Sequence, residues 1–233
     1  MICFTDYRIT QEEKDTLSSL NLKVIEIPKS NDLYDAINGH VDIQLNILDK
    51  KSKKIIINRN MDVTFKKQLS DLNIQYIESE NFLEPSYPKN IFLNALILDE
   101  YYIHNIKYSD KNLLKFQNNK TLIDVKQGYT KCSCLPITEN AIITNDVGIY
   151  KSLSKYNFDI LLLPTGDIIL EGFDYGFIGG TGGLINKNTM AFFGNLDFYK
   201  YGNEVKSFLK KYNIKPIYLS NMKLHDRGSL FVL

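Results

Sequence analysis

Tryptophan is absent from the 233 residues, and cysteine and histidine occur only three times each. Three cysteines are too few, and odd in number, for a disulfide framework, so the thiols are expected to be free and the compartment reducing. Net charge is also lacking. Twenty-eight basic residues against twenty-seven acidic ones leave +1, which gives no polyelectrolyte footprint for nucleic acid or for an anionic membrane surface. Long apolar runs are missing as well. The start MICFTDYRITQEEKD turns polar and acidic after a few residues, and no stretch approaches a membrane span. A cytoplasmic protein with small ligands or protein partners is the expectation. The missing Trp, beside abundant Ile, Lys and Asn, reflects codon usage more than physics. What is plentiful is core material, 44% hydrophobic and 12% aromatic, enough for one large domain or two small ones.

An internal repeat decides between these. Four segments share one outline of strand, polar turn, apolar strand ending in Asn or Asp, helix, and strand. The second strands read KKIIINRN, EYYIHN, NAIITND and TMAFFGN, each preceded by HVDIQLNILD, NIFLNALILD, KCSCLPITE or GGTGGLINKN. Each pair predicts a hairpin with Lys, Asp, Glu or Asn at the turn. Helical patterns follow at 62–72, 110–116, 147–156 and 203–212, and then the strands IQYIES, TLIDVKQ, FDILLLP and IKPIYLS. The unit is about 45 residues long. The termini supply a fifth: DRGSLFVL is a first strand without a partner, and ICFTD, a helix opened by a Thr10 and Glu13 capping box, and LKVIEIP complete it. Pairing the last strand with the first also covers two edges. The expected fold is α/β, a closed five-module α/β propeller forming a single domain over 1–233.

In such a ring the first strand of each hairpin faces the axis, and residues i and i+2 point the same way. The channel candidates are His40 and Asp42 from NGHVDIQ, Asn90 from YPKNIFLNA, and Cys132 and Cys134 from KCSC. Thr181 with its glycines from GFIGGTGG, and Asp226 and Ser229 from HDRGS, complete the set. GFIGGTGG fits neither the dinucleotide fingerprint nor the P-loop spacing, so its glycines serve tight turns or close approach. Glu171 and Asp174 lie in the loop before it, open to a ligand or to solvent. Tyr87, Tyr101, Tyr102 and Phe192 are expected in module cores, and His104 and His225 at turns or module edges. The CxC pair also fits buried packing, a redox pair, or half a metal site with only His40 as an obvious further ligand.

The five-module outline, the GHVD motif and a Cys-bearing strand two modules later resemble the guanidine-modifying enzyme superfamily, or pentein fold. That superfamily includes arginine and agmatine deiminases, dimethylarginine hydrolases and amidinotransferases. The details of GYTKCSC, GFIGGTGG and the DxGS ending look most like an uncharacterised branch. The resemblance implies a Cys nucleophile, matched by Cys134 with Cys132 as the alternative, a catalytic His at His40, and substrate-binding residues drawn from Asp42, Asp226, Glu171, Asn90 and Ser229. It implies a Cys-dependent hydrolase or amidinotransferase acting on an arginine-like or other small guanidine in the central channel, with no cofactor and no metal. The chain is then permuted relative to the familiar enzymes, whose Cys lies in the C-terminal module. Pentein rings without catalysis also exist, such as the ribosome anti-association factor. The alternative is therefore a non-catalytic ring that binds a protein partner or small ligand.

Overall fold

A computed structural model describes residues 1–233 and contains five three-stranded sheets. The first joins Leu45–Asp49, Lys54–Ile57 and Gln75–Glu78. The second joins Leu96–Ile97, Tyr101–His104 and Thr121–Asp124. The third joins Cys134–Thr138, Ala141–Thr144 and Asp159–Leu162, and the fourth Gly182–Asn186, Thr189–Phe192 and Lys215–Tyr218. In each, a hairpin pairs the first two strands antiparallel and a helical crossover returns the third strand parallel to the second. The fifth sheet is made by the ends of the chain. Phe231–Val232 pairs antiparallel with Ile2–Asp6, which pairs parallel with Lys23–Ile27. No helix is long and apolar enough to cross a membrane.

A polar side chain a few residues beyond the middle strand caps four of the five crossover helices. Asp62 accepts from Thr64 and Phe65 N–H ahead of Val63–Asp71, and Asp110 from Asn112 and Leu113 N–H ahead of Lys111–Leu114. Asp146 accepts from Ile149 N–H ahead of Val147–Leu153. Thr10 and Glu13 form the reciprocal capping box of Gln11–Ser19. These side chains satisfy amides that have no partner inside the helix. The helix Gly202–Lys211 lacks such a cap and is held by Val205 and Leu209 on its buried face.

The middle strands are largely apolar because both of their faces are covered. Ile56 packs with Leu93, Ala95 and Tyr102 toward the second sheet, while its neighbours Ile55 and Ile57 pack with Phe4 and Ile25 of the terminal sheet. Ile103 and Ile142 join the second sheet to the third, and Ile143 packs with Met190 and Phe192 of the fourth. Ala191 packs with Cys3 and Val232 of the terminal sheet. Period-two alternation thus sends successive residues of one strand into two different apolar seams.

Several expectations need correction. The segments read as the starts of first strands are not extended: Val41–Gln44 and Thr130–Ser133 are single helical turns, Ile178–Thr181 is a 3-10 turn, and the strands begin just after them. NIFLNALILD keeps only Leu96–Ile97 as strand. Among the aromatics, Tyr102 and Phe192 are core, but Tyr87 is 52% exposed and packs its ring against Tyr129. His104 is no edge residue. It ends a middle strand and is fully buried.

Candidate active site

Helical turns change which side chains meet. At about 100° per residue, positions i and i+2 diverge where a strand would align them. Cys132 therefore points inward from its turn. Cys134, the first residue of the strand, points into the apolar seam with Leu96, Ile103 and Ile142, its Sγ 3.9 Å from Thr144 Oγ1.

Around Cys132 four pre-strand segments converge. Its Sγ lies 3.1 Å from both carboxylate oxygens of Asp42, a contact in which the thiol donates. Asn94 ties the segments together. Its Oδ1 accepts from the N–H groups of Lys131 and Cys132, and its Nδ2 donates to Asp42 O and lies 3.2 Å from Cys132 Sγ. Ser229 Oγ is 2.7 Å from Asp42 Oδ2 and accepts from Lys131 Nζ at 2.8 Å. That ammonium also donates to Gly179 O. Asp226 is pinned by the N–H groups of Phe177 and Gly228 and faces His40, with Nδ1 and Oδ1 3.9 Å apart. His40 is 1% exposed, yet neither ring nitrogen has a hydrogen-bond partner.

Two glycines make this convergence sterically feasible. A Cβ at Gly179 would fall 2.3 Å from Lys131 O and 2.4 Å from Cys134 O, so only glycine lets the fourth module approach the Cys132 turn. Gly228 has φ +65°, and a Cβ there would meet the His40 side chain. The same glycine's carbonyl accepts from Asp42 N–H and fixes the start of that turn.

Burial dominates the electrostatics. It pushes the Cys132 thiol well up, and the nearby Asp42 and Asp226 carboxylates push the same way by opposing a second negative charge. Burial likewise raises the Asp226 carboxyl and lowers the Lys131 ammonium, against the attraction of Asp42. Cys134 is pushed up to about 12, chiefly by burial among apolar side chains.

Of the residues singled out from the sequence, His40, Asp42, Cys132, Asp226 and Ser229 come together, and buried Thr181 stands on the neighbouring turn. Asn90 is buried but donates to Pro85 O in its own loop. Glu171 is exposed, and its oxygen lies 3.6 Å from Arg227 Nη1. Lys131 and Asn94 were missed. The available signal was the repeat itself, since each module carries a polar residue just before its first strand and Asn94 is that residue in the second.

Residues 4–231 match DUF6873, a family of unknown function, and the chain belongs to that family. No functionally curated protein matches it in sequence. Solved structures do share its fold. SxtG, an amidinotransferase from Microseira wollei in the saxitoxin biosynthetic pathway, is 11% identical with a TM-score of 0.58, covering 94% of this chain and 77% of its own. The agmatine deiminase of C. jejuni is 14% identical with a TM-score of 0.58, covering 97% and 79%. A DDAH from Pseudomonas aeruginosa, solved with citrulline, is 8% identical with a TM-score of 0.52, covering 97% and 92%. The fold is that of the guanidine-modifying enzymes, the pentein fold.

Proposed function

We propose that the protein is a Cys-dependent enzyme of the guanidine-modifying kind, a hydrolase or amidinotransferase whose nucleophile is Cys132. The five sheets would close into a ring, one domain over 1–233, with the site on its axis. Ring closure is supported by the apolar seams, which link first to second, second to third, third to fourth, fourth to terminal, and terminal back to first sheet. One observation carries the catalytic reading. A buried thiol touches one carboxylate, with a second carboxylate and an imidazole free of hydrogen bonds in the same cluster.

A planar cation entering the cluster would find acceptors in Asp42 and Asp226, and its charge would offset the repulsion that disfavours the thiolate. The thiol proton passes to His40 as Sγ bonds to the guanidinium carbon. His40 then gives that proton to the departing amine as its C–N bond breaks, and next takes a proton from water or an acceptor amine. Attack by that group breaks the C–S bond, and His40 returns its proton to the departing sulfur, restoring the thiol. The substrate is a small guanidine, the setting is cytoplasmic, and no cofactor, nucleic acid or membrane takes part.

A second reading has its own observation. Lys131 already places a cation beside Ser229 and Asp42, where a guanidinium would otherwise be gripped, and a ring so filled would bind a protein or small ligand without chemistry. The rate at which 2-chloroacetamidine labels each cysteine, with the modified residue located by mass spectrometry, separates the two. Labelling of Cys132 faster than a free thiol supports the enzyme. Thiols no faster than free cysteine would remove the catalytic mechanism and leave the binding ring.

A further inference from the structure

His40, Asp42 and Cys132 each offer a ligand atom, and these atoms lie within 4.8 Å of one another. All three residues are at least nine-tenths buried, and both nitrogens of His40 lack any partner. A buried imidazole satisfied on neither side is rare in a finished core. From this geometry we propose that Cys132, Asp42 and His40 form a reversible site for a single divalent cation of the zinc type. The inference stands apart from the amidino chemistry and requires no turnover.

The donor set selects the ion. Thiolate, imidazole and carboxylate together suit zinc, whereas calcium and magnesium prefer all-oxygen sites. Three protein ligands leave the fourth position of a tetrahedral ion open to water or a small ligand. The outer layer is in place: Ser229 Oγ and the Lys131 ammonium behind it hold Asp42, Asn94 Nδ2 reaches the sulfur, and Asp226 stands beside the imidazole. On binding, the metal–sulfur bond replaces the thiol S–H bond and the proton leaves to solvent. Metal bonding draws charge from the sulfur and lowers its nucleophilicity, so the ion and an electrophile compete for Cys132.

Cobalt(II) added to the chelator-stripped full-length protein tests this. The expected result is a thiolate-to-cobalt charge-transfer band with tetrahedral d–d absorption, saturating at one equivalent and erased by zinc. Cys134→Ser should keep the band and Cys132→Ser should lose it. Ser229→Ala should weaken binding by about 10- to 100-fold, and His40→Ala by more than that. If Cys132→Ser fails to fold, His40→Ala decides alone, since its ring makes no hydrogen bond that folding requires. Folded wild-type protein without the band, or a band that survives Cys132→Ser or His40→Ala, would overturn the site. Labelling by 2-chloroacetamidine reads the catalytic proposal separately, so either can fail alone.

Discussion

Two buried histidines show how differently one residue type can be set. His104 closes a middle strand, with Nδ1 2.7 Å from Ser109 Oγ and Nε2 3.1 Å from Gly128 O, so both nitrogens are satisfied by the neutral ring. His40 is buried equally well and satisfied on neither nitrogen. The cysteines repeat the contrast, Cys134 among Leu, Ile and Val side chains and Cys132 against a carboxylate and an amide. His104 is complete at rest, whereas His40, at the convergence of the modules, is left wanting a partner, and such incompleteness costs stability that a packing role would not require.

The sharpest way to break this contrast is to exchange the roles of the two thiols. Cys132→Ser is expected to abolish labelling by 2-chloroacetamidine and Cys134→Ser to leave its rate unchanged, as read by mass spectrometry of the intact protein. His40→Ala should slow labelling of Cys132 by about 100-fold, the usual worth of a positioned proton acceptor. Label found on Cys134 in the wild-type protein would reverse the assignment.

The histidine half is tested by pH. Burial lowers His104 from 6.5 to about 4 in the folded state. Between those values the unfolded chain binds a proton that the folded one refuses, so stability is intact above pH 6.5 and falls as pH drops toward 4, by about 3 kcal/mol in all. Urea midpoints at about pH 7 and about pH 5 should show a loss of roughly 2 kcal/mol in the wild-type protein that is absent from His104→Gln. Equal slopes in the two would mean that His104 is not held neutral.

The same contrast marks what could be read from the sequence. The repeat was legible because middle strands such as KIII and AIIT are largely apolar and are followed within a few residues by a helix-capping Asp, and those signals are local. His40, Asp42 and Ser229 were legible because the repeat brings corresponding positions together. The choice between Cys132 and Cys134 was not. It depends on whether the residues before the strand are extended or helical, and that is fixed by contacts from elsewhere, chiefly Asn94 Oδ1 on the Lys131 and Cys132 amides. Lys131 was illegible for the same reason. A lysine reads as surface until the Gly179 carbonyl, brought close by a residue without a side chain, receives its ammonium.

The smallest effect sharpens the comparison from the side of stability. Serine is near in size to cysteine but its hydroxyl demands a hydrogen bond. At position 134 the surroundings are Leu96, Ile103, Ile123 and Ile142, with Thr144 Oγ1 at 3.9 Å and already donating to Ser133 O. The new hydroxyl would be poorly satisfied there, and Cys134→Ser should cost about 1–3 kcal/mol. At position 132 the hydroxyl can donate to Asp42 and accept from Asn94 as the thiol does, so Cys132→Ser should cost less than about 1 kcal/mol. Denaturant midpoints of the two variants therefore run opposite to their labelling. The substitution that ends chemistry spares the fold, and the one that spares chemistry weakens it. A larger loss at 132 than at 134 would show that Cys132 is the packing cysteine and that the carboxylate beside it serves structure.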